Sequence, residues 1–277
     1  MRYTALLSAA LISNVYSAAV PEETTTGGIE PMQGMKIVWS DDFSSNSVDT
    51  SKWKFAEGKA QNNEQQLYGE ADCHVSGGSL KILPKKTNGQ WTSCRLETLS
   101  AWAPPQGGSV TYAAKIRLGK QGDGGNMQGV WPAFWTLGES MRHGTAWPGC
   151  GEIDTMENIN GDGNLHGTAH CGMECEDNVA AGTFKGNGQQ TPLDRSNWNV
   201  YAHTVSEDSI TWYLNGKQYH QISKDNFKES WDALQKKFYV ILNVAMGGNW
   251  PGNTVDDTVQ GAAAGMEVQY VAVYQSA

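Results

Sequence analysis

The segment "GCGEIDTMENING" (residues 149–161) places three carboxylates, Glu152, Asp154 and Glu157, within six positions among apolar and small residues. On an α-helix, positions 152 and 157 would lie about 140° apart around the axis, and positions 152 and 154 about 160° apart, so the side chains would diverge. On a β-strand, Glu152 and Asp154 share a face because side chains alternate with a period of two. The segment therefore predicts a strand.

Glu157 lies an odd number of positions from Asp154, so a regular strand would point it to the opposite face. A β-bulge near Thr155 and Met156 would insert one extra residue and return Glu157 to the face of Glu152. The Cα atoms of the two glutamates would then lie about 13 Å apart, at about 3.3 Å per residue. With the side chains leaning inward, about 5 Å would separate the carboxyl groups, as in a glycosidase that retains anomeric configuration. Asp154 between them would hydrogen-bond one neighbour and raise the pKa of the other.

The rest of the chain predicts an all-β fold. Short apolar or alternating runs, separated by Gly, Asn, Asp and Pro, are typical of strands. These runs lie at residues 36–39, 79–84, 110–118, 129–137, 201–206, 210–214, 238–245 and 266–275. Asn215-Gly216 between two alternating runs predicts a hairpin, and only residues 224–237 have a helical pattern. Many strands with almost no helix indicate a sandwich or jelly roll.

The N-terminus and the charge of the chain indicate an exported, soluble protein. Residues 1–19 carry one early positive charge, an apolar run and small residues at a cleavage point, as in a secretory signal peptide. Residues 20–34 form a polar tail, and residues 35–277 form one domain without a linker or a repeat of roughly 20–50 residues. Loss of Arg2 with the signal peptide changes the formal net charge from −9 to −10. This charge disfavours nucleic acid or an anionic membrane as a partner and favours a neutral substrate.

Five cysteines, an odd number, leave at least one thiol free or paired between chains. In an exported chain we expect structural disulfides, but the sequence does not fix their connectivity. The pair in "CGMEC" (171–175) lacks the second Cys or His pair of a zinc site. Residues 158–169 alternate Asn and Asp as an EF-hand loop does, but Ala169 stands where a bidentate Glu is required, which favours a turn.

On these residues alone, two interpretations of the three acids compete. The acids could form a solvated strand face, although Glu and Asp are poor strand formers and residues 151–158 contain no basic partner. Clustered acids also mark catalytic sites, because burial and like charge perturb their pKa values.

The surrounding sequence resembles a known family. Residues 131–161, "WPAFWTLGESMRHGTAWPGCGEIDTMENING", and "HGTAHCG" (166–172) resemble the catalytic region of glycoside hydrolase family 16, the laminarinase and lichenase family. Within that family, the sequence resembles the branch that carries one extra residue before the last Glu of the motif. Further matches lie at residues 39–53, 62–68, 92–98, 238–252 and 268–275. The resemblance spans nearly the whole mature chain and implies a concanavalin-like β-jelly roll, a sandwich of two curved antiparallel sheets.

The resemblance also implies the roles of the acids. Glu152 would be the nucleophile, Glu157 the general acid and base, and Asp154 the assisting carboxylate, in agreement with the spacing. His170 would hydrogen-bond the acid/base or the sugar, and a structural histidine is the open alternative. Catalysis would need no cofactor, and we predict no metal site, because Gln269 stands where many members have a calcium-binding acid in the final strand.

Aromatic and polar residues near the acids are candidates for substrate binding. Trp131 and Trp135 share one strand face by the period of two, and Trp147 lies just before the acids. An aromatic ring can cover the apolar face of a sugar, whereas core packing is the common alternative for Trp. The resemblance favours substrate contacts, and the full set of candidates is Trp131, Trp135, Trp147, Trp250, Asn62 and Arg95. For the last two, a turn Asn and a surface Arg are the alternatives.

Together these inferences predict a secreted, monomeric endo-β-glucanase that cleaves β-1,3 or mixed β-1,3/1,4 linkages of a polysaccharide. The alternatives are a β-glucan-binding lectin on the same sandwich, a family member that acts on galactans, and a transglycosylase. A pure binder would not need all three carboxylates. The segments at residues 119–129 and 171–190, which would select among linkages, carry no decisive pattern.

Overall fold

The computed structural model describes residues 28–119, 125–172, 187–227 and 230–276. The predicted signal peptide, most of the predicted tail, Cys175 and much of the two segments that would select a linkage lie outside these ranges. All eight predicted strands are confirmed, and their alternation of apolar and polar residues arranges them in two large antiparallel sheets.

Sheet I has eight strands. They are β1 (Met35–Asp41), β5 (Cys73–Val75), β6 (Leu80–Ile82), β10 (Ser109–Leu118), β15 (Asn199–Ser206), β16 (Ser209–Leu214), β17 (Lys217–Ser223) and β19 (Met266–Ser276). Their spatial order is β17-β16-β15-β10-β19-β6-β5, and β1 also pairs with β19. The hairpin between β16 and β17 turns at Asn215 (φ 51°) and Gly216 (φ 75°), which confirms the predicted turn with two left-handed residues.

Sheet II has seven strands, and a small sheet III has four. Sheet II contains β2 (Trp53–Phe55), β9 (Arg95–Thr98), β11 (Val130–Gly138), β12 (Glu152–Glu157), β13 (Asn164–His170), β14 (Asn187–Pro192) and β18 (Phe238–Met246). Its order is β14-β13-β12-β11-β18-β9-β2. Sheet III contains β3 (Gly58–Lys59), β4 (Gln66–Tyr68), β7 (Lys85–Thr87) and β8 (Gln90–Ser93), in the order β3-β4-β8-β7.

The main core lies between sheets I and II. Tyr112 and Trp212 of sheet I and Phe134 and Leu242 of sheet II are fully buried in it. A second apolar cluster lies on the outer face of sheet I, where Ile29 of the predicted tail is buried. A third lies on the outer face of sheet II. These layers confirm the predicted jelly-roll sandwich.

Helical structure is shorter than the pattern at residues 224–237 predicts. The described part of that segment contains the 3₁₀ turn Lys224–Asn226 and helix α1 (Trp231–Leu234), and residues 235–237 are not helical. Trp231 is buried, and its Nε1 donates a hydrogen bond to the Glu207 carbonyl, so tertiary contacts override the helical periodicity. Further 3₁₀ turns lie at Glu70–Asp72, Glu139–His143 and Gly261–Ala263. No helix in the described ranges has the length and apolar character needed to cross a bilayer.

The structure shows which of the described cysteines are in disulfides and which is a free thiol. Cys73 in β5 and Cys94, just before β9, form a disulfide with Cα atoms 5.3 Å apart, which ties sheet I to sheet II. Cys171 is also disulfide-bonded. Cys150 is a free, buried thiol two positions before Glu152.

Gly167, in the middle of β13, allows a close approach between the two sheets. A Cβ at this position would lie 2.2 Å from the Tyr219 hydroxyl and 2.8 Å from Trp212 Cδ1. We expect Gly167→Ala to lower the free energy of unfolding in urea by about 1–3 kcal/mol, because a buried ring would have to move. Gly163→Ala is the matched control, since a Cβ there meets nothing within 4 Å. Equal stability of the two variants would contradict this account.

Candidate active site

β12 contains the bulge that the spacing of the acids predicts. Phe134 of β11 pairs with Met156, but the next residue, Trp135, pairs with Asp154, so Thr155 is the extra residue. The register between β12 and β13 breaks at the same place. The prediction of a bulge near Thr155 and Met156 is confirmed, and Thr155 is its unpaired member.

The bulge places two consecutive side chains in the core and all three acids on the outer face. Thr155 and Met156 are both 0% exposed, and Met156 belongs to the core between the sheets. Glu157 instead accepts a hydrogen bond of 2.9 Å from Nε1 of Trp131. Glu152 and Asp154 contact His170 on this same outer face. One extra residue thus brings the three carboxylates together.

His170 lies beside the first two acids. It pairs with Glu152 across β12 and β13, and its Nε2 lies 3.8 Å from Glu152 Oε1 and 3.3 Å from Asp154 Oδ2. The ring of Trp147 is 5.6 Å from the imidazole. The carboxylates that His170 contacts are therefore Asp154 and Glu152, whereas the resemblance implies a hydrogen bond to Glu157 or to the sugar.

The other predicted tryptophans lie on the same face. At the Glu157 end, the Trp131 ring meets that of Trp250 at 5.6 Å and 84°, and Trp250 is 44% exposed. Trp135 donates Nε1–H to Asn243 Oδ1 at 2.7 Å. The Arg95 guanidinium covers the Trp135 ring at 4.9 Å. Exposed and half-buried indoles around the acids match what a sugar-binding surface requires.

The two predicted polar contacts differ in their surroundings. Arg95 is fixed by two hydrogen bonds to Glu97 Oε1, of 3.1 Å from Nε and 2.8 Å from Nη2. Asn62 is exposed in the loop before β4, with φ 55°, and its carbonyl accepts a hydrogen bond from the Asn249 amide. That contact places Asn62 beside the segment of Trp250.

Sequence reasoning missed several polar partners in the site. Asn243 continues the Trp135 contact, donating Nδ2–H to the Tyr68 hydroxyl at 3.1 Å, and Tyr68 in turn donates to Glu64 at 3.3 Å. A signal existed for Asn243, since it is the polar residue within the apolar run at residues 238–245. Tyr68 and Glu64 lie far away in sequence, so their roles depend on the fold.

A second missed group lies beside Glu157. His166 pairs with Glu157 across the strands, and its ring is 5.1 Å from that of Trp250. Its Nε2 contacts Asp162 Oδ2 at 3.1 Å, which fixes the imidazole. The site therefore has a histidine at each end of the row of acids.

Burial raises the pKa of all three carboxyls, because the charged form is poorly solvated. For Glu157, burial and then the charge of Asp154 raise the pKa to about 8, although the Trp131 hydrogen bond opposes the rise. The charge of Asp154 also raises the pKa of Glu152, which it adjoins. Like charges in such a row oppose one another's ionisation, so the cluster retains a proton near neutral pH.

The ligand atoms of Glu152, Asp154 and His170 lie within 4.8 Å of one another, compact enough for a metal ion. In the structure, however, His170 Nε2 contacts the two carboxylates directly. The geometry fits proton sharing within the cluster as well as ion binding, and we assign no metal to it.

Comparison with known proteins defines the class. A family model described as the XgeA-like, catalytic GH16 domain matches residues 124–209. A beta-glucanase of Rhodothermus marinus is 30% identical over 258 residues, which cover 87% of this chain and 85% of the relative. An endo-1,3-beta-glucanase structure from Streptomyces sioyaensis has a TM-score of 0.81 and 30% identity, covering 90% of this chain and 99% of that one. The fold and the paired carboxylates define a jelly-roll glycoside hydrolase. The chain belongs to glycoside hydrolase family 16.

Similarity also extends to a larger protein. The clotting factor G alpha subunit of Tachypleus tridentatus is 31% identical over 252 residues, covering 87% of this chain and 34% of that subunit. The chain thus spans about a third of the length of that relative.

The raised pKa of Glu157 predicts a pH-dependent stability cost. The folded protein binds this proton more tightly than the unfolded chain, so the free energy of unfolding falls as pH rises from about 4.5 to about 8. Glu157→Gln cannot ionise and should therefore be more stable than the wild type at pH 8, by at least about 1 kcal/mol. At pH 4 the difference should vanish.

Urea denaturation at the two pH values measures this effect. Glu207→Gln, at an exposed position, is the control and should show the same pH dependence as the wild type. A Glu157→Gln variant whose advantage is equal at both pH values would contradict the burial argument.

Proposed function

We propose that this protein is a secreted endo-β-glucanase that hydrolyses internal β-1,3 or mixed β-1,3/1,4 linkages with retention of configuration. The observation that carries the proposal is the bulge of β12, which places Glu152 and Glu157 on one face with Asp154 between them. Two relatives that cover most of this chain are named as a beta-glucanase and an endo-1,3-beta-glucanase, which supports a β-glucan substrate.

In the first step, Glu152 attacks the anomeric carbon while Glu157 protonates the departing glycosidic oxygen. The bond to the leaving sugar breaks and a glycosyl ester forms on Glu152. The raised pKa of Glu157 keeps its proton available near neutral pH. Contacts of 3.8 and 3.3 Å from His170 hold Glu152 and Asp154 in place during this step.

In the second step, ionised Glu157 takes a proton from a water molecule, which attacks the same carbon. The ester breaks, Glu152 leaves as a carboxylate, and Glu157 regains its proton. Asp154 supports both steps because its charge raises the pKa of Glu157, which then holds its proton in the first step and is a stronger base in the second. No cofactor takes part in this scheme.

A neutral polysaccharide fits the surface around the acids. Trp131, Trp135, Trp147 and Trp250 offer ring faces to sugars, whereas Arg95 and Asn243 offer hydrogen-bonding groups nearby. The Cys73–Cys94 disulfide and the signal-like residues 1–19 support an oxidising, extracellular location. We expect the enzyme to act as a monomer.

Product analysis tests the proposed function. The protein is incubated with laminarin, barley mixed-linkage glucan and agarose, and proton NMR follows the new reducing ends from the first minutes. We expect oligosaccharides from the two glucans, formed first as the β-anomer because two displacements retain configuration. An α-anomer formed first would contradict the mechanism. Products from agarose alone would contradict the substrate, and binding without new reducing ends would favour a lectin.

Replacement of the nucleophile tests the roles of the acids. Glu152→Gln should lower the rate of reducing-end release from laminarin at least about 10³-fold, because no ester can form. Laminarin binding, measured by affinity electrophoresis, should persist because the tryptophans remain. Glu207→Gln, on the exposed turn between β15 and β16, serves as the control with unchanged rate. Substantial activity in Glu152→Gln would overturn the nucleophile assignment.

A further inference from the structure

A row of aromatic side chains on sheet I lies directly behind the bulge of β12. Tyr112, His203, Trp212 and His220 are successive cross-strand partners on β10, β15, β16 and β17. The ring centroids of Tyr112 and His203 are 4.9 Å apart, and those of Trp212 and His220 are 4.6 Å apart. The middle two members of this row reach across the core to the bulge.

Trp212 binds the backbone of the bulge. Its Nε1–H donates a hydrogen bond of 2.8 Å to the carbonyl of Asp154, and the whole residue is 0% exposed. Carbonyls of a regular strand lie in the plane of the sheet and bond to neighbouring strands. A donor from the opposite sheet can reach this carbonyl because the bulge turns it toward the core.

His203 binds the extra residue itself. Thr155 Oγ1 and His203 Nδ1 are 2.7 Å apart, and both residues are 0% exposed. Burial lowers the pKa of His203 to about 3, so the ring is neutral and its ring nitrogen can share this hydrogen bond without a buried charge.

Gly167 shows that this contact between the sheets is unusually close. It lies on β13 beside the bulged strand, and a Cβ would meet the Trp212 ring at 2.8 Å. A strand glycine at such a point lets another side chain approach the backbone. The position of Trp212 thus depends on a second, independent feature of sheet II.

We propose that Trp212 and His203 are positioning residues that hold the β12 bulge from the core side and thereby aim Glu157 at the leaving oxygen. Without the indole donor, the turned carbonyl of Asp154 would be buried and unpaired, at a cost of about 1–3 kcal/mol. A shift of β12 toward a regular register would recover a partner for it but would rotate Glu157 toward the core. The proposal rests on the glucanase function and extends it to residues that touch neither substrate nor acid side chains.

The position of the bulge makes the expected effect selective. Glu152 precedes the bulge and pairs in register with Leu137 and His170. Glu157 follows the bulge, so its direction depends on the extra residue. Weakening the two cross-core contacts should therefore impair the acid and leave the nucleophile in place.

The test uses Trp212→Phe, which keeps an aromatic ring and removes the N–H donor. Two substrates distinguish the contribution of the general acid from that of the nucleophile. The leaving sugar of laminarin must be protonated, whereas the leaving group of 2,4-dinitrophenyl β-laminaribioside departs without an acid. On laminarin we expect kcat to fall about 100-fold with KM within about 3-fold, because a small displacement of a general acid is costly. On the aryl glycoside, kcat/KM, which reports only the formation of the glycosyl ester, should stay within about 3-fold.

Matched controls separate positioning from general loss of packing. Trp231→Phe removes another buried indole N–H, which donates at 2.8 Å to the Glu207 carbonyl and not to the β12 backbone. Thr155→Val is a second, milder variant, and its control is Thr111→Val, which loses a hydroxyl contact of 2.7 Å to Thr204. The Trp212 and Thr155 variants should lose laminarin activity selectively, and both controls should keep it.

Each outcome bears on the proposal. Equal loss on both substrates in Trp212→Phe and Thr155→Val would overturn it, as would the same selective loss in Trp231→Phe or Thr111→Val. If Trp212→Phe does not fold, the comparison of Thr155→Val with Thr111→Val decides in the same way. A wild-type protein that cleaves the aryl glycoside but no glucan would overturn the proposed function. The positioning role proposed for Trp212 and His203 would then also be overturned, because it rests on that function.

Discussion

The site depends on the insertion of one residue into one strand. A regular strand alternates its side chains, so the spacing of Glu152 and Glu157 would place their carboxyl groups on opposite faces. Thr155 adds the position that cancels this alternation, and the two acids then share the outer face of sheet II. In the proposed mechanism all of the chemistry depends on this local irregularity, because neither acid can act on a glycosidic bond without the other.

The same face carries an electrostatic cost that the surrounding residues reduce only in part. Three carboxyl groups lie in a poorly hydrated row, and one indole N–H and one imidazole are their main polar neighbours. Burial and like charge raise the proton affinity of the row, which destabilises the fold near neutral pH. In the proposed mechanism, the same rise in pKa makes one carboxyl a proton donor at a pH where free glutamate is ionised.

Much of this was predictable from local sequence. Alternation placed the strands, Asn215-Gly216 placed a hairpin, and the spacing of the acids required a bulge. Partners across the molecule were not predictable, because Trp212 lies 58 positions from Asp154 and Tyr68 lies 175 from Asn243. The helical structure after residue 224 is shorter than its pattern predicts for a related reason, since burial of Trp231 and its hydrogen bond to the Glu207 carbonyl fix that segment against the core. Local patterns specify elements, whereas contacts between layers decide which polar groups meet.

Strand β11 divides its residues cleanly between the two sides of sheet II. Trp131 and Trp135 face outward beside the acids, and Phe134 packs in the core between the sheets. The outward side chains contribute little to the packing that holds the sandwich together. Linkage preference could therefore diverge, in evolution or in the laboratory, by exchange of outward residues alone, on a framework whose packing between the sheets is set from the other side.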